Sequence, residues 1–363
     1  MRIGVIGAGQ LGRMLALAGY PLGLRFVFLD QSADAPGAQV GRIVNGAFDD
    51  RSKLAELARE VDVITFDVEN VPVEAVAEIA AIKPFLPPVA ALGASQDRLH
   101  EKTLFRQLKI PTPAFAAVDS LADLEAAIAK IGTPGVLKTR RLGYDGRGQY
   151  QVREPQDAAA AWAALGTVPL IYEQFVKFSR EVSIIGVRST RGETRFYPLA
   201  ANTHSAGILR YSIAPYRHAL LQQQAETYLK RLLRHFDYAG VLTIEFFVAG
   251  GRLIANEIAP RVHNSGHWTI EGAATSQFEN HVRAICGLEL GGTTPSAYSA
   301  MVNLIGLEPP DTAFPGGSGM HVHRYGKHAR PGRKLGHVTV VEGDRDTLFQ
   351  VLQEVTRTAD NWE

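Results

Sequence analysis

The stretch VLTIEFFVAGGRLIANEI, residues 241–258, holds two apolar runs, 241–248 and 253–258, joined by Ala249-Gly250-Gly251-Arg252. β-Branched and aromatic residues around a glycine turn read as a β-hairpin. One carboxylate interrupts each run. A three-residue loop at 250–252 sets Glu245 opposite Glu257, whereas a two-residue turn would break that pairing. Like charges directly opposed destabilise a sheet, so the arrangement makes sense with a cation between them. Hard oxygen donors beside phosphate point to magnesium, with Asn256 as a neutral ligand. The alternative is a pair of solvated glutamates, which the otherwise apolar strands disfavour.

Upstream, Val136-Leu137-Lys138 ends a second apolar strand and leads into Gly143-Tyr144-Asp145-Gly146-Arg147-Gly148-Gln149. Glycines at this density let backbone amides approach a polyphosphate, and Lys138 adds a fixed charge. The lysine precedes the glycines, so this is no Walker loop; a hairpin turn with a surface lysine is the plainer alternative. Glu173 and Glu181 bracket another turn containing Gln174, Phe175 and Val176, where a strand end could meet adenine and the acids a ribose. Downstream, Arg261 to Trp268 reads RVHNSGHW. His263 and His267 have the spacing of zinc ligands on a helix, but Asn264-Ser265-Gly266 disfavours helix there. A loop of donors for a small anion fits better, with Arg261 clamping a transferring phosphoryl group. Residues 312–341 contain no Asp or Glu but carry Arg324, Lys327, Arg330, Arg333 and Lys334, a local anion trap or a solvated face. His321 and His323 share a strand face there without an evident third ligand.

The N-terminus supplies a competing signal. Gly7-Ala8-Gly9-Gln10-Leu11-Gly12 matches a dinucleotide fingerprint between strand 3–6 and a helix, with Asp30 ending the next strand. Taken alone it suggests a nicotinamide-dependent oxidoreductase. That reading leaves the glutamate pair and the basic tail unexplained, and the same turn serves any phosphorylated ligand. Further strands at 26–29 and 61–66, and helices at 97–107, 121–131, 158–165, 222–236 and near Thr347, give an α/β segment, an α+β segment and a small β-rich tail. With 363 residues, two or three domains are expected. A net charge of +1 argues against a general nucleic-acid binder. No apolar run is long enough for a membrane span, and a single cysteine, Cys286, suits a reducing cytoplasm.

GAGQLGRML at 7–15, GYDGRGQ at 143–149, NEIAPRVHNSGHWT at 256–269 and RPGRKLGH at 330–337 together resemble the 5-(carboxyamino)imidazole ribonucleotide synthetase family. The resemblance runs in order over almost the whole chain; the two middle motifs are shared in kind with other ATP-grasp ligases, and NSGHWT together with RPGRK is more specific. It implies a doubly wound parallel-sheet domain (1–94), an ATP-grasp domain (95–293) and a small C-terminal β-rich domain (294–363), usually as a homodimer. It implies ATP, magnesium, bicarbonate and 5-aminoimidazole ribonucleotide as ligands. ATP would meet Arg98, Lys138, residues 143–149, Glu173 to Val176, Glu181, His204, Asn256 and Glu257, with magnesium on Glu245 and Glu257. Arg261, His263 and Asn264 would face bicarbonate and the moving phosphoryl group. Lys327 and Arg333 would hold the ribonucleotide phosphate, Asp145 and Arg147 its aminoimidazole, and Gln10, Leu11 and Glu69 its ribose. In the strand end Phe66-Asp67-Val68-Glu69 only Glu69 is carried over, because the family often has glutamate where Asp67 stands. A different acceptor on the same scaffold, or a non-catalytic nucleotide-binding regulator, are the other readings; retention of Lys138, Glu245, Glu257 and Arg261 argues against the latter.

Overall fold

A computed structural model describes residues 1–143, 146–314 and 319–361. Strands β1 (Arg2–Ile6), β2 (Arg25–Asp30), β3 (Arg42–Asn45) and β4 (Val63–Phe66) alternate with helices α1 (Gln10–Gly19) and α2 (Arg51–Glu60). They pair in parallel in the order β3-β2-β1-β4. Such strands are covered on both faces and so read as unbroken apolar runs; Ile3, Val5, Ile64 and Phe66 are fully buried. Helices α3 (Val73–Ala80) and α4 (Val89–Ser95) complete this module.

Helix α5 (Arg98–Gln107) starts at Asp97, whose carboxylate caps the Leu99 and His100 amides and pairs with Arg140 at 2.7 Å. It leads into β5 (Phe115–Val118), α6 (Leu121–Ile131), β6 (Gly135–Thr139), β7 (Gln149–Val152), α7 (Ala158–Leu165) and β8 (Leu170–Gln174). These strands form a small antiparallel sheet, β5-β8-β6-β7, against which Leu124, Ile128 and Ala161 pack. Its register puts Glu173 opposite Val136, and so diagonal to Lys138 on the same face.

The largest sheet comprises β9 (Arg180–Arg188), β10 (Thr194–Phe196), β11 (Ala200–Ser205) and β12 (Ile208–Ala214). After α8 (Ala219–His235) it adds β13 (Gly240–Ala249) and β14 (Arg252–Ala259), and after α9 (Thr269–Gly272) and α10 (Gln277–Ile285) it adds β15 (Tyr298–Ile305), β16 (Met320–Arg324) and β17 (Lys334–Glu342). The order is β14-β13-β9-β11-β12-β15-β17-β16, with β10 on β9. The tail strands therefore extend the central sheet, Tyr211 pairing with Val302, and α11 (Arg345–Asp360) packs on them. Along β9, Val182 and Ile184 join a core with α8, while Ile185 and Val187 join one with α10. Helix α10 in turn packs against Met14 and Leu15 of α1, which ties the N-terminal module to the sheet. No helix among the described residues is long and apolar enough to cross a membrane.

The β13–β14 hairpin departs from expectation in an instructive way. Ala249 pairs with Arg252, so the loop is the two residues Gly250 and Gly251, both with positive φ (57° and 73°). Only glycine takes that pair of conformations freely. Yet Glu245 still faces Glu257, because the register shifts by one after Phe246–Ala255 and leaves Asn256 as the extra residue of a β-bulge. The shift shows in the packing: Leu253, Ala255 and Ile258 all enter the α8 core despite their mixed parity.

Beneath the small sheet lies a buried ion centre. Glu173 is 2% exposed and lies 3.0 Å from the Lys138 ammonium and 3.5 Å from Lys102. Burial works to raise its pKa, but Lys102, Lys138 and Arg98 outweigh burial and hold it at about 2. Glu173→Gln should cost about 3–5 kcal/mol by stripping buried cations of their partner, read from the unfolding midpoint. The folded value lies below the unfolded 4.5, so wild type should keep its advantage above pH 4.5 and lose it as pH falls towards 2.

Candidate active site

Four adjacent strands deliver Glu257, Glu245, Glu181 and His204 to one region of the central sheet. Glu245 pairs directly with Glu257, and Phe247, two residues along β13, pairs with Glu181. His204 Nδ1 is 2.7 Å from Glu181. Burial would lower the His204 pKa, but the Glu181 hydrogen bond and the nearby Glu245 and Glu257 charges raise it overall. Glu245 is pushed up to about 7, first by burial and then by Glu257. Glu257 receives Arg98 at 3.3 Å, and Glu245 receives His263 Nε2 at 3.1 Å. The Ser265 amide donates to His263 Nδ1. Burial and the Arg261 and Lys334 charges hold that ring well below its usual pKa, so the imidazole beside Glu245 is neutral.

These groups open on a cavity of about 770 Å³ walled by every part of the chain. Gln10, Leu11 and Glu69 line it from the N-terminal module, and Lys138, Gly143, Gly146 and Gln149 from the small sheet and its loop. Arg98, Glu181, His204, Glu245, Asn256, Glu257, Arg261, His263 and Asn264 complete the set that the sequence singles out. Arg261 bridges to Glu69 at 2.8 Å and to the Val262 carbonyl, while its buried Nε has no partner among the described residues. An unspent guanidinium donor in a cavity wall suits an anion. Asn264 exchanges two amide hydrogen bonds with Asn303 of β15, at 3.0 and 2.8 Å, which anchors its loop to the tail strands.

Tyr144 and Asp145 lie outside the described residues. Arg147, Gly148, Gln174, Phe175, Val176, Lys327 and Arg333 are not among those lining the cavity. Glu173, buried on Lys138 and Lys102, organises cations beneath the site. Lys327 lies over the Tyr325 ring at 5.8 Å; burial and Arg333 lower its pKa to about 8, against a raising influence from Asp67. Three wall residues escape a reading of the sequence. Lys334 counts there only as part of the basic run and Glu101 as a helix residue. Asp67 is set aside there, although it ends the strand beside β1, where α/β ligands collect.

The glycine turn at 7–12 bears on the competing dinucleotide reading. Ala8 N donates to Asp30 and Gly12 N to Asp67, at 2.7 and 3.0 Å, and a Cβ on Gly7 would fall 1.8 Å from the Asp67 carboxylate. The turn wraps internal carboxylates, so these amides are not free for a dinucleotide pyrophosphate. The zinc reading fails as well: among the described residues no three His, Cys, Asp or Glu side chains converge as a metal site. His267 is fully buried, its ring 4.9 Å from His337. Magnesium makes a different demand. Two facing carboxylates, one with its pKa driven up by burial and by the other's charge, are not fully compensated by their neighbours. A hard divalent ion completed by phosphate and water oxygens fits that donor set.

A small sheet with a glycine loop, facing the carboxylate-bearing end of a larger antiparallel sheet across a nucleotide-sized cavity, defines an ATP-grasp ligase. Accordingly, residues 103–278 match the ATP-grasp domain, 1–96 the ribonucleotide synthetase preATP-grasp domain, and 299–350 the phosphoribosylaminoimidazole carboxylase C-terminal domain. The chain is 54% identical to the N5-carboxyaminoimidazole ribonucleotide synthase of Pseudomonas aeruginosa, over 98% of each chain. The N5-carboxyaminoimidazole ribonucleotide synthetase structure from Thermus thermophilus superposes with a TM-score of 0.94 at 51% identity, covering 98% of both. The Aspergillus clavatus synthase, solved with ADP and 5-aminoimidazole ribonucleotide, gives 0.91 at 31% identity, covering 99% of this chain and 98% of that one. The chain belongs to the N5-carboxyaminoimidazole ribonucleotide synthase family.

Asp67 provides a test of the wall's electrostatics. Burial, with a smaller push from Asp30, raises its pKa from 3.8 to about 6. A carboxyl raised on folding stabilises the fold fully below the unfolded value and loses that contribution as pH rises through the folded one. The stability of wild type relative to Asp67→Asn should therefore improve as pH is lowered from about 7 to 4, measured by denaturant unfolding. This slope is opposite in sign to that for Glu173, and a flat difference would show that the carboxyl stays ionised.

Proposed function

We propose that this chain carboxylates the exocyclic amine of 5-aminoimidazole ribonucleotide with bicarbonate, converting ATP to ADP and phosphate and supplying a carbamate for purine biosynthesis. The observation that carries the reading is the facing pair Glu245 and Glu257 in one cavity with Lys138, Arg98 and Arg261. Its support from outside is the full-length likeness to synthases of this name, one of them solved with ADP and 5-aminoimidazole ribonucleotide. Module boundaries near residues 94 and 293, a homodimer and a cytoplasmic location belong to the same reading.

Bicarbonate is a poor electrophile, so ATP first converts it to carboxyphosphate. Lys138 and the amides around Gly143 and Gly146 would hold the nucleotide phosphates, and Arg98 would stand between Glu257 and the loop, where it already donates to the Gly143 carbonyl at 3.1 Å. Magnesium, held by Glu245 and Glu257, would neutralise phosphate oxygens. Arg261, oriented by Glu69, would offer its guanidinium to charge developing on the transferring phosphoryl group. His263, through its bond to Glu245, would keep that carboxylate aimed at the cavity. The amine then attacks the activated carboxyl, and water exclusion protects the anhydride until it does.

The direct experiment measures ADP release with bicarbonate, with and without 5-aminoimidazole ribonucleotide. Strong stimulation by the ribonucleotide is expected, and its absence would remove the acceptor assignment. Lys327→Ala should raise KM for the ribonucleotide roughly 10- to 100-fold, the worth of a charge-assisted phosphate contact, while KM for ATP changes little. Equal effects on both would place the basic tail elsewhere.

A further inference from the structure

Strand β14 is the outer strand of the central sheet, so its free edge presents backbone groups with no strand to pair them. Helix α5 covers that edge at the bulge. Glu101 Oε1 accepts from the Ile258 amide at 2.7 Å. Lys102 Nζ donates to the Asn256 carbonyl at 2.6 Å and the Ala255 carbonyl at 3.3 Å. Thr112 is a third side chain on this segment, donating to the Ala255 carbonyl at 3.0 Å. The bonds therefore bracket the inserted residue on both sides, and Glu101 and Lys102 are 2% and 1% exposed. Arg98, Glu101 and Lys102 are spaced i, i+3, i+4, on one helical face. From that face Arg98 reaches Glu257 itself.

A bulge is what this strand needs. Continuing the hairpin's two-residue register without it would set Asn256 opposite Glu245 and turn Glu257 to the opposite face of the sheet. Side chains fixed at the bulge therefore decide whether the carboxylates meet. We propose that Glu101 and Lys102 are positioning residues that lock the Asn256 bulge and so hold Glu257 opposite Glu245 for the metal-bound nucleotide. The proposal rests on the nucleotide reading above and adds to it the device that sets the ligand geometry. Lys102 also contacts Glu173, so the same ammonium ties the bulge to the ion centre beneath Lys138.

The experiment compares wild type, Glu101→Met, which cannot accept the Ile258 N–H, and Glu101→Gln, which can. Amide exchange at Ile258 reads the clamp without any ligand. Calorimetric titration with ADP, with and without magnesium, reads its purpose. In Glu101→Met, Ile258 should exchange faster and ADP affinity in magnesium should fall at least about tenfold, the usual cost of losing a group that orients a metal ligand. Magnesium-free ADP affinity should fall by a clearly smaller factor, and Glu101→Gln should restore both readouts. Equal losses with and without magnesium would indicate a merely structural role and overturn the proposal, as would a folded Glu101→Met with wild-type magnesium dependence. If Glu101→Met does not fold, the near-isosteric Thr112→Val removes one bond from the same segment and is read in the same ways. A wild-type chain whose ADP binding gains nothing from magnesium would instead overturn the nucleotide reading, while Ile258 exchange still reports on the clamp.

Discussion

Two carboxylates facing each other on neighbouring strands are a placement that a β-sheet resists, and most of the surrounding structure answers to it. Arg98 meets Glu257 from one side and the neutral His263 meets Glu245 from the other. Arg98 answers Glu257 but not Glu245, and burial with the facing charge drives Glu245 up to about 7. The unfavourable pairing is held by contacts outside the site. On the reverse face Leu253, Ala255, Ile258 and Phe246 pack with the leucines of α8, so the hairpin is fixed by apolar burial and the carboxylates must accept the register that burial dictates. A cation between them relieves what the fold imposes.

Lys138 sits in a comparable balance. Its ammonium is committed to Glu173 at 3.0 Å yet also lines the cavity. A lysine held by a buried carboxylate is pre-positioned, so less side-chain entropy remains to be lost when an anion arrives. Lys102 shares the same carboxylate, and the two strands carrying Lys138 and Glu173 belong to the small sheet, whereas Lys102 grips the edge of the large one. The ion centre therefore couples the two sheets that face each other across the nucleotide cavity.

What the sequence discloses follows from the range of the interactions involved. Helix α6, strand β6 and the 241–258 hairpin are legible because periodicity, capping and glycine turns are local. The bulge is not, since Asn256 is one polar residue in a strand and nothing local distinguishes an inserted residue from a paired one. The Glu245–Glu257 pairing, expected from a three-residue loop, arises instead from a two-residue loop plus the bulge. The burial of Glu173 is not legible, because it depends on Lys102, which precedes it by 71 positions and lies on another element. Lys334 is named only within the basic run and Asp67 is set aside, because only the tertiary fold brings a strand end of the first module and the start of β17 to one wall.

The two most family-specific motifs gain a physical meaning from where they meet. His267, within NSGHWT, and His337, ending RPGRKLGH, have rings 4.9 Å apart, and His323 stacks on His337 at 4.4 Å. Burial drives His267 and His337 far below their usual pKa, so the contact between them is one of neutral rings without mutual repulsion. The Tyr325 hydroxyl shares a hydrogen bond with His337 Nδ1 at 2.8 Å, and Gln277 binds both the backbone of His263 and the ring of His267. A continuous packed path thus runs from His263, which orients Glu245, to Tyr325, whose ring lies under Lys327. The cation of the tail and the carboxylate of the nucleotide site are thereby joined through one series of packed side chains. Their separation would otherwise depend on two loops positioned independently.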